Sequence, residues 1–198
     1  LRKIPHPATV RNYLFTACAT VQRTTRRTWR ANSEGFLQNQ GPMRKHDDAI
    51  IRLALFQPDI APNVGAMLRL GACLGVPVHV IEPCGFPFSP HAWRRQAMDY
   101  ADLAELHRHD SWQAFLAERP PGRLVAMTTK AAGSLWDFHF APGDTLLMGR
   151  ESAGLADEVH AAADARLLIP MQPGARSLNV AMTAAIAVAE AGRQMRCV

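Results

Sequence analysis

Residues 50 to 56 read IIRLALF, a nearly unbroken β-prone run of the kind that forms a strand covered on both faces of a sheet. Similar short runs recur at Val76 to Ile81, Leu124 to Thr128, Thr145 to Met148 and Leu167 to Ile169, each too brief for a helix and bounded by Pro, Gly or polar residues. Helical patterns lie between them. Pro58 and Pro62 end the first run, and Asn63-Val64-Gly65 leads into a helix over Ala66 to Leu74 closed by Gly75. Ser89-Pro90 opens a short helix carrying Arg94 and Arg95, and Leu103 to Leu106 suits a short strand. Asp110 or Ser111 caps a helix through Trp112, Phe115 and Leu116 that Pro120-Pro121-Gly122 stops, and Gly154 to Ala163 forms another. Strands and helices in alternation predict an α/β fold, a largely parallel sheet flanked by helices.

The last stretch, Arg166 to Arg193, changes character near its middle. After Leu167-Leu168-Ile169, the residues Pro170, Pro173 and Gly174 forbid regular hydrogen bonding until Ser177, which suits the N-cap of an alanine-rich helix. Val180, Met182, Ala184, Ile186, Val188 and Ala191 leave that helix with hardly any polar face before Glu190 and Arg193. One side can cover a sheet; the other calls for a second partner, such as another subunit. Arg176, Ser177 and Asn179 form a polar cluster at the entrance of this apolar helix, where free N–H groups make a natural anion or ligand site.

A chain of 198 residues with 48% apolar content fits one globular domain. Its net charge of +5 suggests a nucleic-acid partner until the charge is located. Residues 1–48 hold nine Lys or Arg against three acids, a balance of +6, and residues 49–198 hold thirteen against fourteen, a balance of −1. The basic excess therefore belongs to a leader over 1–48 and not to a domain over 49–198, where any RNA-facing patch must come from local clustering. The leader shows no sustained period and is expected to be disordered. Met43 is expected to be the true start, ahead of an organelle transit peptide or an RNA-binding tail. Cys18, Cys73, Cys84 and Cys197 show no C-x-x-C or zinc-type His spacing, so no metal site or disulfide framework is expected, and a reducing cytoplasm fits. No apolar run approaches the roughly 18 residues of a membrane span.

Parallel sheets bind ligands beyond the carboxyl ends of their strands. Three loops there are rich in glycine, proline and polar residues: Asn63-x-Gly65-x-x-x-Arg69, the run Met148 to Leu155, and Ile169-Pro170-Met171 continuing through Ser177-Leu178-Asn179. Asn63, Arg69, Glu151, Ser177 and Asn179 supply the few convergent polar groups that a cofactor cleft requires. Each also has an ordinary structural role open to it. Asn63 and Ser177 can cap helices, Arg69 can snorkel, and Glu151 can face a helix dipole. Neither G-x-G-x-x-G nor a P-loop is present, and Arg150 breaks the G-x-S-x-G frame at Ser152. His107 and His109 read as solvated or capping residues.

Taken in order, N-x-G-x-x-x-R, G-x-E-x-x-G-L and I-P-M with S-L-N resemble motifs 1 to 3 of the SPOUT superfamily of RNA methyltransferases. The supporting segments Leu55-Phe56-Gln57-Pro58, Ile81-Glu82-Pro83, Asp99-Tyr100 and Thr128-Thr129-Lys130 are similar to its small tRNA ribose methyltransferases of the TrmL (YibK) type. The resemblance spans about Ile50 to Arg193. Arg150 and Ser152 depart from it, standing where related enzymes often show Pro and Thr, and so does Asn179-Val180-Ala181-Met182, where S-N commonly follows. The resemblance implies a C-terminal deep trefoil knot, S-adenosylmethionine as cofactor and a homodimer that completes the site. The implied cofactor pocket involves Met127, Thr128, Gly149, Ile169, Met171, Ser177 and Leu178. Arg69 is implied as the catalytic arginine, assisted by Asn63, Glu151, Ser177 and Asn179. Arg94, Arg95, Arg150 and Arg176 are the expected phosphate contacts. The implied substrate is the wobble nucleotide 34 of tRNA, a cytidine or modified uridine, methylated on its ribose 2′-OH. A ribosomal RNA ribose methyltransferase, or a domain that binds cofactor or RNA without turnover, stands as the alternative.

Overall fold

The computed structural model describes residues 51–88, 103–131 and 133–196. The leader, the helix expected behind Ser89-Pro90, and Arg94 and Arg95 lie outside the described residues.

Seven strands form one parallel sheet in the order β3-β2-β1-β6-β4-β7-β5. Strand β1 (Ile51–Phe56) lies between β2 (Val78–Ile81) and β6 (Asp144–Met148), and all six of its residues are buried. Beyond β2 comes β3 (Leu106–His109), and beyond β6 come β4 (Leu124–Met127), β7 (Ala165–Leu168) and the two-residue β5 (Gly133–Ser134). Because strand side chains alternate between faces, β1 feeds two cores. Leu53 and Leu55 pack with Val64, Met67 and Leu68 of α1 (Ala61–Leu74) and with Ala184, Ala187, Val188 and Ala191 of α4 (Val180–Arg196). Ala54 and Phe56 join Trp112 and Phe115 of α2 (Trp112–Glu118) and Val159 of α3 (Asp157–Ala162). The result is a three-layer α/β sandwich.

Several expected boundaries move, each for a local reason. Helix α1 begins at Ala61, so Asn63, Val64 and Gly65 lie in its first turns and not in a loop before it. Pro62 opens the helix because a missing N–H costs nothing where the first N–H groups have no helical partner anyway. Gly75 does close α1, with φ of 65°. Helix α3 is shorter than expected, because Gly154 has φ of 72° and hydrogen-bonds back to Arg150 in a tight turn. Helix α4 starts at Val180, and its cap is Asn179 rather than Ser177: Asn179 Oδ1 accepts from the N–H groups of Ala181 at 2.9 Å and Met182 at 3.3 Å. Ser111 caps α2, accepting from Ala114 N at 3.1 Å.

Strand β3 lies three residues beyond the expected Leu103 to Leu106 and reads LHRH. Its histidines find their partners on other elements and on the residue before the strand. The His79 and His109 rings are joined Nδ1 to Nε2 at 2.9 Å, and His109 Nδ1 meets Glu118 Oε2 at 2.8 Å. His109 is therefore buried, not solvated, and His107 is half-buried against Glu105 and stacked on His79.

Candidate active site

Strands β1 and β6 are neighbours, with Leu55 opposite Met148, so the turns that leave their carboxyl ends also adjoin. This is where the order of strands reverses, with β2 and β3 on one side and β4, β7 and β5 on the other, the usual place for a ligand in an open α/β sheet. The turn after β1 is tightened by Gln57, a non-glycine residue with φ of 46°, and it runs directly into Asp59 and α1. The turn after β6 closes on itself: Arg150 N donates to Gly154 O at 3.0 Å and Gly154 N to Arg150 O at 2.9 Å. Gly149 precedes it because a Cβ there would lie 2.7 Å from the Gly154 carbonyl carbon.

A directed chain of hydrogen bonds links the three motif loops. Asn179 Nδ2 donates to Asn63 Oδ1 at 3.1 Å, and Asn63 Nδ2 donates to Glu151 Oε1 at 2.8 Å. The Asp59 N–H donates to Glu151 Oε2, also at 2.8 Å. The polarity is forced. Asn179 turns its oxygen toward two backbone N–H groups of α4, so its NH₂ must face Asn63, and Asn63 must in turn offer its NH₂ to Glu151. Both Glu151 oxygens thus accept from N–H donors, Oε1 from Asn63 and Oε2 from the Asp59 amide.

Asp59 anchors the second turn. Arg150 Nη2 reaches its Oδ1 at 2.7 Å and Nε reaches it at 3.2 Å, while the Ser152 N–H donates to Oδ2 at 3.1 Å and the Ser152 hydroxyl donates there as well. The Arg150 fork, with help from the Ser152 hydroxyl and amide, pulls the Asp59 carboxyl down to about 2, and the same pair raises Arg150. Arg150, expected as a phosphate contact, therefore spends its guanidinium on Asp59, with Nη1 3.4 Å from Gln57 Oε1. Asp59 did not stand out in the sequence, and Gln57 entered only as part of the segment Leu55-Phe56-Gln57-Pro58. Their partners lie more than 90 residues away, and Pro58-Asp59 reads as ordinary loop punctuation.

Met127, Thr128, Gly149 and Ile169 lie at or just past the carboxyl ends of β4, β6 and β7, three adjacent strands, with Met127 opposite both Met148 and Leu167. Met127 is buried, Thr128, Gly149, Ile169 and Met171 are half-buried, and Leu178 is exposed. Met127 and Ile169 belong to one apolar cluster. Apolar side chains beside strand-end main chain suit a purine ring with polar edges, so the residues present fit an adenosyl cofactor. Arg176 and Ser177 are exposed. Arg69 is exposed too, and six residues along α1 from Asn63 it lies about 120° around the helix, away from the Asn63–Glu151 bond. Among the described residues, no group of three or more His, Cys, Asp or Glu could hold a metal, and no helix is long and apolar enough to cross a membrane.

Residues 50–189 match the model of the SpoU rRNA Methylase family. The chain is 55% identical over 145 residues to a tRNA (cytidine(34)-2'-O)-methyltransferase of Beijerinckia indica, a match covering 72% of this chain and 91% of that protein. A solved structure described as giving insights into the 2-OH methylation of C/U34 on tRNA is 40% identical with a TM-score of 0.71, covering 76% of this chain and 99% of the other. An AdoMet-bound rRNA methyltransferase from Sinorhizobium meliloti is 26% identical with a TM-score of 0.66, covering 79% of this chain and 62% of the other.

Proposed function

The chain belongs to the SpoU methylase family, and from that premise we propose that it is an S-adenosylmethionine-dependent tRNA methyltransferase acting on the ribose 2′-OH of wobble nucleotide 34. The observation that carries this is the hydrogen-bonded chain from Asp59 through Glu151 and Asn63 to Asn179. It draws together three loops that the sequence scatters widely, with Asn63 and Asn179 116 positions apart, and does so where an open sheet receives its ligand.

When bound, S-adenosylmethionine supplies a methyl group already activated on a sulfonium. The protein must then hold the ribose oxygen in line and manage its proton, and alignment of this kind contributes roughly 7 to 11 kcal/mol. Met127, Thr128, Gly149, Ile169, Met171, Ser177 and Leu178 would hold the cofactor. Asn63, Glu151 and Asn179, with their donor and acceptor directions fixed, would present the ribose edge. A guanidinium is a poor base, so the role of Arg69 is to position the substrate and stabilise developing charge. Because its position lies about 120° around α1 from Asn63, its place in this reading is a site shared between two copies. Met182 of α4 at 58% exposure and Leu178, just before the helix, at 42% support a partner covering this end of α4. Arg176 would take a phosphate, together with Arg94 and Arg95, and the trefoil knot belongs to the same reading. A base in an anticodon loop is already unstacked enough to be splayed into such a site.

Incubation with labelled S-adenosylmethionine and total RNA, followed by mapping of 2′-O-methyl groups by mass spectrometry, tests this. Methyl at nucleotide 34 of tRNA is expected. Methyl on ribosomal RNA selects the second substrate class, and cofactor binding without transfer selects a non-catalytic domain. Arg69→Ala is expected to abolish transfer while cofactor binding stays within about twofold, as for a group that acts only in the transition state. Unchanged turnover removes Arg69 from the mechanism.

A further inference from the structure

The Asp59 carboxylate accepts four hydrogen bonds from two residues of the turn after β6, while its own N–H donates to Glu151 between them. It is fixed from behind as well. Gly85 N donates to Pro58 O at 2.9 Å, and a Cβ on Gly85 would lie 2.9 Å from Asp59 Cα, so the turn after β2 presses directly on this backbone. On its other side Gln57 holds the left-handed conformation that turns the chain from β1 toward Asp59. A non-glycine residue kept in that region costs on the order of 1 kcal/mol or more and persists only where its surroundings enforce it. Arg150 and Ser152 flank Glu151, so a carboxylate that grips both neighbours fixes the backbone from which Glu151 projects. The amide of the same residue then fixes the far oxygen of Glu151.

We propose that Asp59 is a positioning residue for methyl transfer, acting through Glu151 to hold Asn63 in a single orientation, on the reading that this site is the methyltransferase centre. The substitution Asp59→Asn is a sharp probe. The new amide would keep the shape of the carboxylate but present an NH₂ either to the Arg150 fork or to the Ser152 N–H, and each of those is a donor. One side of the grip must open, the turn that carries Glu151 shifts, and displacements of about 1 Å at such a site cost on the order of 10²-fold in rate.

The test uses the full chain, with D59N and unsubstituted protein compared for S-adenosylmethionine affinity by calorimetry and for methyl transfer to total tRNA per calorimetrically competent site. The expected result is a loss of about 10²-fold in kcat with cofactor Kd changed less than about threefold. A residue that only stabilised the fold would lower the melting temperature and the number of competent sites but leave turnover per site unchanged, and that result overturns the proposal. If D59N does not fold, Ser152→Ala removes one donor from the same carboxylate and is expected to lower kcat about three- to tenfold, the worth of one such bond; unchanged kcat again overturns it. If the unsubstituted protein methylates no RNA, the functional reading fails by itself. Hydrogen exchange then judges Asp59: the amides of residues 150–154 should exchange at least about tenfold faster in D59N, and equal exchange overturns the proposal.

Discussion

The substitution Glu151→Gln changes one oxygen to an NH₂ at nearly constant volume, and the hydrogen-bond directions around it dictate the outcome. Both partners of Glu151 are donors: Asn63 Nδ2 at 2.8 Å and the Asp59 N–H at 2.8 Å. Asn63 cannot rotate its amide to help, because its oxygen accepts from Asn179, whose own oxygen is committed to the start of α4. Whichever way the glutamine amide lies, it sets a donor against a donor. One bond to a charged acceptor is lost, worth about 1.5 to 3 kcal/mol, and the other becomes neutral. Glu151 is half-buried, so water can reach the orphaned donor, and the net cost falls to about 1 to 2 kcal/mol. For a domain of this size that lowers the melting temperature by about 2 to 8 °C. Urea unfolding at one protein concentration should show the midpoint fall with an unchanged m-value. It should also show that E151Q is no more stable than E151A, although glutamine preserves the packing. A glutamine variant indistinguishable from the parent would refute the forced polarity, since it would require Asn63 to flip or the Asp59 N–H to need no partner.

Asn179→Ala removes the cap of α4 together with the link to Asn63 and is expected to cost about 1 to 2 kcal/mol in urea unfolding, against about 1 for a cap alone. Asp59, held near 2 chiefly by the Arg150 fork, lies below its ordinary value of 3.8, so the unfolded chain binds the proton more readily. Its contribution is complete above about pH 4 and lost as pH falls through about 2, so the stability gap between parent and D59N should shrink over that window; Glu190, also held near 2, titrates alike in both proteins and cancels. Gly149→Ala sets a methyl group 2.7 Å from the Gly154 carbonyl carbon and is expected to cost about 1 to 3 kcal/mol, measured by urea unfolding.

Strand β1 could be read from the sequence because a strand covered on both faces has no polar side to interrupt its apolar run. The body of α4 and the left-handed close of α1 at Gly75 were legible for equally local reasons. Strand β3 was not. Its LHRH carries no apolar pattern, since its buried polar groups are matched by His79 from β2 and Glu118 from α2, residues 30 and 9 positions from His109. The start of α1 was missed because Pro62 reads as a stop when it follows a strand and as a first-turn residue only once the helix beyond it is seen. Asn63, Glu151 and Asn179 were marked individually by the motif resemblance. What joins them lies 88 and 116 residues apart in sequence, and no periodicity carries that information.

Arg150 and Ser152, the two positions of the Gly149 to Leu155 run that depart from the resemblance, are the two that grip Asp59. A proline at position 150 has no N–H and no side-chain donor. It could neither bond to Gly154 O nor reach the Asp59 carboxylate. With arginine there, the turn is closed by a pair of backbone bonds instead of one and is tied to the turn after β1 by a guanidinium fork. Ser152 adds its amide and hydroxyl on the other carboxylate oxygen. Glu151 sits between these two residues, so its position is set by hydrogen bonds where a proline ring would set it by covalent stiffness. The turn in this chain depends on an ionised Asp59 and loosens as that carboxylate is protonated.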